Sequence, residues 1–316
     1  MKSINVEHTS NFEVEDLGVQ DIDVYDIEVA DNHNFFANDV LVHNSCYINC
    51  SKIVEQRWAN LPENEIVNKL EQLTFKIIQP AVNESLNKVV SNMGVKDCKI
   101  SFKLECIGPS IVFLAKKRYA FDILYSEGVR YKEPKMKVMG IEIVRSSTPS
   151  IVKDYLKECL SLCLRSDEST LQSKVLDVKK LFMSQSYEDI SFPRGCNGLT
   201  TYTSDTSIYK KGEGVTTPIH VRAALLYNHH LIKNGLQNDY QRIHEGEKIK
   251  FVYLKMPNVI HENVIGFVDK LPDQLGVKRF IDYNKQWDAA FIAPLTKITD
   301  AIGWEVEKKV TLDMGF

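Results

Sequence analysis

Apolar and polar positions alternate in short runs over residues 1–44, and no helical period is present there. Apolar residues flank Tyr25-Asp26, and the runs 35–37 and 40–42 are separated by Asn38-Asp39, a pair that favours a hairpin turn. The pattern therefore predicts short strands. A segment of this length with so few apolar residues would barely fold alone, so we expect it to complete a larger β structure.

The pattern becomes helical after residue 60. Apolar residues recur three or four positions apart from Pro62 onward, with Asn60 as the expected N-cap and a kink expected near Pro80. Another helix is predicted after Thr148, which is a good N-cap, with Pro149 as the first helical residue. Further helices are predicted at residues 168–184, 219–234 and 284–302.

Strand patterns lie between these helices. Residues 99–106 alternate strictly between apolar and polar, which places Glu105 on the polar face of a predicted strand. The run 111–125 also predicts strand structure, with the basic run Lys116-Lys117-Arg118-Tyr119 at its centre, and residues 249–254 predict another strand. Residues 306–316 are expected to form a tail.

Length and composition bound the class of protein. At 316 residues the chain can bury a sizeable core, and two or three structural units are expected. No apolar run is long enough to span a bilayer and no charged-then-apolar leader is present, so a soluble cytoplasmic protein is predicted. The seven cysteines contain no CxxC pair, and Cys46/Cys50 and Cys159/Cys163 are four apart, which predicts reduced thiols on helix faces.

The net charge of −3 conceals a division along the chain. Residues 1–44 carry ten acidic residues and one lysine, a net charge of −9, which leaves 38 basic and 32 acidic residues and a net of +6 for residues 45–316. An acidic head on a basic body predicts two units with different partners. The basic body would suit a phosphate backbone and the acidic head a basic partner, although a solvated surface explains such an imbalance equally well.

The end of the acidic head carries residues that suit peptide-bond cleavage. The side-chain amide of Asn44 can attack its own backbone carbonyl, which forms a succinimide and cuts the bond to Ser45. The adjacent His43 can protonate the departing amine, because its ordinary pKa is about 6.5. The Ser45 hydroxyl can accept an upstream polypeptide as a branched ester that later shifts to an amide.

These residues resemble the C-terminal end of an intein, and the resemblance extends upstream. Asp26, in Val24-Tyr25-Asp26-Ile27, and His33, in His33-Asn34-Phe35, match conserved positions of that family. The resemblance assigns Asp26 and His33 to orienting and activating Asn44 and the thioester. The family's N-terminal nucleophile and Thr-x-x-His block do not occur upstream of residue 44, so an N-intein on another polypeptide is expected, with splicing in trans.

Residues from Ser45 onward resemble a second family. Ser45-Cys46-Tyr47-Ile48 is similar to the residues that follow the second aspartate of Tyr-Gly-Asp-Thr-Asp-Ser in family B DNA polymerases. The resemblance implies that both metal-binding carboxylates of that motif lie in the partner, so no metal ligand is expected in this chain. Splicing would then make the missing bond inside the polymerase site.

Further matches follow in the same order as in phage polymerases of the T-even type. The basic run (116–119) resembles the element that grips the primer end, which implies DNA-binding roles for Lys116, Lys117, Arg118 and Tyr119, although such a run is also typical of a solvated surface. Residues 137–142 with 146–149 resemble the passage from palm to thumb. Residues 217–227 resemble a thumb segment, which assigns a DNA contact to Arg222.

The resemblance implies two weaker assignments. Glu105 takes a supporting role near the metals, with an ordinary surface glutamate as the alternative. The last residues are similar to the peptide by which these polymerases bind their ring-shaped sliding clamp, a contact assigned to Leu312, Asp313, Met314 and Phe316.

Three other features are expected to be ordinary. His229-His230 is predicted to lie at a surface, and Trp287 and Trp304 to pack in the thumb core or on its clamp side.

Taken together, the sequence predicts a mixed fold: a short all-β C-terminal segment of an intein, of the Hint type, then an α+β polymerase palm segment and a mainly helical thumb. The expected boundaries are 1–44 for the C-intein, 45–145 for the palm, 146–305 for the thumb and 306–316 for the clamp-binding tail. The expected partners are the N-terminal polymerase half with its N-intein, primer–template DNA, deoxynucleotides and the sliding clamp, with Mg²⁺ as cofactor of the assembled enzyme. The alternative is a non-splicing subunit docked through an inactive intein remnant.

Overall fold

The computed structural model describes residues 47–92, 94, 101–115, 117–141, 143, 145–212 and 216–308, together with the backbone of three short strands between residues 24 and 43. The chain divides into two compact units. The first comprises Met1–Ile107 and Tyr125–Lys132, and the second comprises Gly108–Leu124 and Glu133–Phe316. The predicted domain boundaries at residues 45, 146 and 306 remain predictions.

Short antiparallel strands form the start of the first unit. β1 (Val24–Tyr25) pairs with β4 (Tyr47–Ile48), and β2 (Asn34–Ala37) pairs with β3 (Val40–His43). The pairing of β2 with β3 agrees with the two strands that the sequence predicts on either side of Asn38-Asp39. The larger all-β intein fold remains a prediction, because most of residues 1–44 lie outside the described part of the chain.

One long helical stretch follows, as predicted. α1 (Ser51–Arg57) comes first. After a short loop, α2 (Glu63–Leu73), a π-helical turn (Thr74–Ile78) and α3 (Gln79–Asn92) follow one another without a break. The irregular turn lies directly before Pro80, whose missing N–H and ring disturb the hydrogen bonds of the preceding turn. The expected N-cap at Asn60 is wrong: the extended residue before the helix is Pro62.

The predicted strand at 99–106 is also wrong over its described residues 101–105. Only β5 (Cys106–Ile107) forms, and it pairs with Ser126 and Tyr125. The neighbouring strand ends there and the chain turns at Glu127 and Gly128, both with positive φ. The Glu127 N–H still donates to the Glu105 carbonyl oxygen at 2.9 Å, but strand pairing does not continue over residues 101–105. Side-chain exposure in 101–105 nevertheless alternates as the sequence predicts, and Glu105 is exposed.

The run 111–125 is a hairpin and not one strand. β6 (Ser110–Ala115) pairs antiparallel with β7 (Arg118–Ser126), and β7 then pairs with β8 (Val129–Met139), a strand that the sequence analysis missed. Lys117 therefore lies in the turn between β6 and β7, and Arg118 and Tyr119 are the first residues of β7. The reversal occurs there because Lys117 adopts a left-handed conformation with φ of 63°.

Helices dominate the rest of the second unit. The predicted helices are confirmed as α4 (Ser150–Arg165), α5 (Glu168–Met183), α8 (Ile219–Lys233), α9 (Tyr283–Trp287) and α10 (Ala293–Asp300), with a π-helical turn (Asp288–Ile292) between the last two. Two one-turn helices, α6 (Tyr187–Ile190) and α7 (Leu199–Tyr202), lie before α8. α4 begins one residue later than predicted, with Pro149 as its N-cap.

This unit also contains a three-stranded antiparallel sheet in the order β11-β10-β9. β10 (Lys248–Tyr253) confirms a predicted strand, whereas β9 (Phe192–Gly195) and β11 (Val264–Phe267) were not predicted. α8 packs closely on β11. The two backbones are so close that a Cβ at Gly266 would lie 3.0 Å from the carbonyl carbon of Ala223.

Buried apolar residues described in the second unit form three clusters. Trp287 stacks on Phe291 with ring centroids 4.2 Å apart and meets Phe182 edge-on at 5.2 Å, which confirms Trp287 as a core residue. The sequence predicted a surface position for His229-His230. This is correct for His229, which is exposed, and wrong for His230, which is buried on the apolar side of α8. In the described residues, every helix is too short or too polar to cross a membrane.

Candidate functional site

The turn between β6 and β7 presents the predicted primer-gripping residues. Arg118 begins β7 and pairs with Ala115 across the hairpin, while Tyr119 pairs with Phe113, and a bulge lies between these two pairs. A bulge at the end of a hairpin bends the strand and redirects its side chains. Lys116 lies outside the described residues, so its predicted role is neither strengthened nor weakened.

The run 137–142, a second motif singled out in the sequence, contacts this turn through Gly140. The Arg118 Nε donates a hydrogen bond to the Gly140 carbonyl oxygen at 3.2 Å. Gly140 itself has φ of 63°, and a Cβ there would lie only 2.2 Å from the carbonyl oxygen of Lys117. Only glycine fits this approach. The basic run (116–119) and the run 137–142, singled out separately in the sequence, are thus in direct contact.

An aromatic pair stiffens the same hairpin. The rings of Tyr119 and Phe113 lie 6.0 Å apart at an angle of 52°, on strands that face one another in register. Cross-strand aromatic pairs of this kind stabilise a hairpin by roughly 0.2–1 kcal/mol. Phe113 is half exposed, so part of the pair faces solvent. A basic turn with a fixed aromatic beside it can contact both the charged and the flat parts of a polynucleotide.

A buried ion pair links the hairpin to the first helix of the second unit. Asp122, on β7, is fully buried and accepts two hydrogen bonds from Arg165 at the end of α4, at 2.5 Å and 2.8 Å. Arg165 also donates to the Pro134 carbonyl oxygen on β8 at 2.9 Å. The hydrogen bond that Arg165 donates to Asp122 is the main cause of a raised pKa of Arg165. Sequence reasoning missed this pair, although a single aspartate inside the apolar stretch 120–125 was a usable signal.

Arg222 lies in a compact cluster beside the three-stranded sheet. Its Nη2 donates to Asn263 Oδ1 at 2.7 Å, and its guanidinium lies 5.8 Å from the ring of Tyr209. The Arg222 Nε is buried and has no hydrogen-bond partner among the described residues. The side-chain amide of Asn263 and the ring of Tyr209 therefore hold Arg222 in position. The guanidinium has more N–H donors than these contacts use.

Other charged groups complete this cluster, and sequence reasoning missed them. Glu262 accepts hydrogen bonds from Tyr209 Oη at 2.9 Å and from Lys211 Nζ at 3.0 Å. The bond to Glu262 is the main cause of a raised pKa of Lys211, whose ammonium also lies 4.4 Å from the Tyr209 ring. The arrangement orders a lysine and an arginine around one tyrosine.

The surroundings of β10 add to the positive potential. Burial raises the pKa of Tyr253, an effect that nearby Arg222 and Arg194 oppose. Burial and the charge of Arg194 lower the pKa of His220, which is therefore neutral near pH 7. Arg194 and Arg222 thus act on the same neighbourhood, and cationic clusters of this kind suit phosphate groups.

Several predicted site residues lie outside the described part of the chain: Asp26, His33, Asn44, Ser45, Lys116, Leu312, Asp313, Met314 and Phe316. His43 is described only as the last residue of β3, in a register that pairs it with Asn34. Glu105 lies in the first unit, and Arg118 and Arg222 lie in the second.

The described thiols are chemically quiet. Burial raises the pKa of both Cys159 and Cys163 to about 12, and the pKa of Cys196 to about 11. The described cysteines are all unpaired; Cys159, Cys163 and Cys196 are buried, as predicted for core thiols, whereas Cys50 and Cys106 are half-buried. Among the described residues, no group of three or more His, Cys, Asp or Glu side chains is placed to hold a metal ion.

Comparison with known proteins supports the polymerase resemblance. Residues 66–298 match the model of DNA polymerase family B. The DNA-directed DNA polymerase of Escherichia phage RB69 is 29% identical over 284 residues, which cover 85% of this chain and 30% of that protein. The DNA-directed DNA polymerase of Enterobacteria phage T4 is 24% identical over 286 residues, which cover 86% of this chain and 31% of that protein.

A DNA polymerase of Methanocaldococcus jannaschii is 25% identical over 309 residues, which cover 87% of this chain and 17% of that protein. The chain thus spans less than a third of the length of the phage relatives. Because the family model covers most of the chain, from residue 66 in α2 to residue 298 in α10, the chain belongs to DNA polymerase family B.

Proposed function

We propose that this chain is the C-terminal precursor of a split family B replicative DNA polymerase, and that it joins the N-terminal half by trans-splicing. The observation that carries this proposal is the order in which the intein-like and the polymerase-like residues follow one another along the chain. The intein-like residues 24–44 end directly before Ser45-Cys46-Tyr47-Ile48, and the polymerase match follows at residues 66–298. The relatives are about three times as long as the matched part, so a partner carrying the rest is consistent with the family.

The splicing step assigns a role to each residue at the junction. Asn44 attacks its own carbonyl carbon through the side-chain nitrogen, which releases Ser45 with a free amine. His43 protonates that amine, and His33 and Asp26 orient and activate the reacting groups. The register of β2 and β3 supports this assignment, because it pairs Asn34 with His43, the sequence neighbours of His33 and Asn44.

Ser45 supplies the acceptor for the partner half. Its Oγ attacks the thioester or ester that links the partner to the N-intein, which forms a branched ester and frees the N-intein. After Asn44 cyclises, the ester shifts to the Ser45 amine and leaves an ordinary peptide bond. The residues 1–44 are then released with a C-terminal succinimide, which hydrolyses to asparagine.

The spliced product would extend a primer with deoxynucleotides. The basic run Lys116-Lys117-Arg118-Tyr119 and Arg222 contact primer–template DNA in this proposal, supported by the fixed turn at Gly140 and by the cationic cluster around Tyr209. Glu105 assists near the metal ions, and the residues 312–316 bind the sliding clamp. Because Ser45-Cys46-Tyr47-Ile48 resembles the residues that follow the second aspartate of the polymerase motif, we expect the partner half to supply the carboxylates for Mg²⁺.

The alternative function keeps the polymerase part and removes the chemistry. In that case residues 1–44 only dock this chain to its partner, and the DNA- and clamp-binding parts act without a new peptide bond. Asn44, His43 and Ser45 are all intact, which favours the splicing function over a decayed remnant.

Mass spectrometry of the whole chain mixed with an N-intein-bearing polymerase half separates the two functions. Splicing yields a ligated product whose new bond precedes Ser45, and a released peptide of residues 1–44. Asn44→Ala should stop at the branched ester and release no such peptide. Two unchanged masses in a tight complex would refute splicing and leave the docking function.

A further inference from the structure

The helical stretch of the first unit buries very little of its own apolar surface. Among the described residues 63–92, Val67 is the only buried one. Phe75 is 50% exposed and Ile77 is 61% exposed, and Val89 further along is also exposed. Seven other large apolar side chains are only half-buried, namely Ile66, Leu70, Leu73, Ile78, Val82, Leu86 and Val90. We call the surface formed by residues 66–90 the apolar helix face.

Polar contacts also reach these helices from the rest of the described unit. Arg130, on β8, contacts Asn68 and Glu71 of α2, and its guanidinium also lies 5.7 Å from the ring of Tyr125. Gln79 donates a hydrogen bond to the Phe102 carbonyl oxygen at 2.7 Å. These bonds fix the helices in place while Phe75 and Ile77 stay in solvent.

Exposed apolar surface of this extent marks an interaction surface. Phe75 and Ile77 both lie in the π-helical turn, two residues apart. Residues 63–92 carry four glutamates and three lysines, so this surface is nearly neutral. Its partner is therefore selected by apolar contact and not by charge, in contrast to the strongly acidic segment 1–44.

The length of the relatives indicates what covers this face. The family match begins at residue 66, inside α2, and about two thirds of each phage relative has no counterpart in this chain. The proposed splice bond at Ser45 would also attach the partner close in sequence to α1 and α2. We infer that the apolar helix face is the docking surface for the N-terminal polymerase half, an inference that rests on the proposed function.

Two partners isolate this contact from the intein contact. One is the N-terminal polymerase half fused to its N-intein, and the other is an unrelated reporter fused to the same N-intein. Both carry alanine in place of the N-intein nucleophile, and this chain carries Asn44→Ala, so that binding is measured without chemistry. The test variant is Phe75→Ser/Ile77→Ser. Its matched control is Leu176→Ser/Leu181→Ser, because these α5 side chains are 56% and 49% exposed.

Binding affinities give the expected pattern. The unsubstituted chain should bind the polymerase half more tightly than the reporter, and the difference should persist at high salt, which screens charge contacts. The test variant should lose roughly 30- to 100-fold in affinity for the polymerase half, as expected for two apolar anchors, and bind the reporter unchanged. The control variant should bind both partners like the unsubstituted chain. Equal affinity of the test and control variants for the polymerase half would overturn the inference.

Two further measurements keep the result decisive. If the test variant loses helical circular dichroism, hydrogen exchange of the unsubstituted chain decides: slower exchange in residues 63–92 with the polymerase half, and not with the reporter, supports the inference, and unchanged exchange overturns it. Sedimentation of the chain alone should show a monomer; a dimer abolished by the test variant would instead assign the face to a second copy.

The proposed function and this inference fail in different ways. A chain that splices normally but binds both partners equally tightly retains the proposed function and refutes the docking surface. A chain that binds the polymerase half through Phe75 and Ile77 but never ligates refutes splicing and retains the docking surface.

Discussion

Replacing Arg165 by alanine should destabilise the second unit more than the removal of an exposed ion pair would. Asp122 has no solvent exposure, and Arg165 supplies two of its hydrogen bonds. Without Arg165, the carboxylate stays buried and uncompensated between β7 and α4. Removing one partner of a fully buried pair costs about 3–5 kcal/mol. Because the Arg165 side chain is 42% exposed, water can partly replace it, and we expect about 2–3 kcal/mol here.

Thermal unfolding of the whole chain, followed by circular dichroism, measures this cost. A loss of about 2–3 kcal/mol corresponds to a fall in Tm of roughly 4–12 °C for a unit of this size. The double variant Asp122→Asn/Arg165→Ala should recover part of that loss, because the buried charge is then absent. The matched control is Lys180→Ala, which removes a bond to Asp177 between two exposed side chains and should change stability by less than about 0.5 kcal/mol.

Two outcomes would refute this reasoning. If Arg165→Ala is as stable as Lys180→Ala, Asp122 is not held by the ion pair. If the double variant is less stable than Arg165→Ala alone, the cost does not come from an unpaired buried charge.

Three other substitutions have defined outcomes. Gly140→Ala should displace the Lys117 carbonyl and abolish primer extension by the spliced product, with splicing yield unchanged; normal extension would contradict the close approach. Arg222→Ala should weaken primer–template binding of the spliced product about tenfold and reduce its salt dependence, as fluorescence anisotropy would show. Burial lowers the pKa of His230 to about 4 from about 6.5, so the unfolded chain takes up the proton first and stability falls as the pH drops from about 6.5 towards 4. His230→Leu should flatten this fall in Tm, and an unchanged pH profile would exclude His230 as its cause.

The regular helices were the most predictable part of the fold. α4, α5, α8 and the long stretch around α2 have apolar residues at helical spacing, and in α4, α5 and α8 these residues pack into the core. Helix starts were predicted less well, as at Pro62 and Pro149. A proline before a helix is compatible with both the cap and the first turn, so the sequence leaves the boundary open by a residue or two.

Strands were less predictable, because a strand depends on its neighbour. Residues 101–105 alternate in exposure as a strand does, but strand pairing ends at the turn of Glu127 and Gly128, where the Glu127 N–H donates a single hydrogen bond to the Glu105 carbonyl oxygen at 2.9 Å. The reversal at Lys117 was missed because it uses a left-handed lysine in place of the expected glycine or asparagine. The glycine that this turn requires is Gly140, which is distant in sequence.

The candidate site shows the same limit. Local motifs identified the basic run (116–119) and Arg222, because charged and aromatic residues stand out in sequence. The groups that position them were missed: Asp122 and Arg165 beside β7, and Tyr209, Lys211 and Glu262 beside Arg222. Asp122 and Arg165 are 43 residues apart along the chain, and Arg222 and its partner Asn263 are 41 apart. Only folding brings the two members of each pair together.

A time course of primer extension in a mixture of the two halves, sampled alongside intact mass, tests the central claim most directly. We predict that neither half extends a primer alone, and that activity rises in proportion to the ligated product as residues 1–44 are released. Asn44→Ala should suppress the ligated product and the activity that follows it. Full activity while both chains keep their original masses would contradict the splicing account and favour a docked, unspliced polymerase.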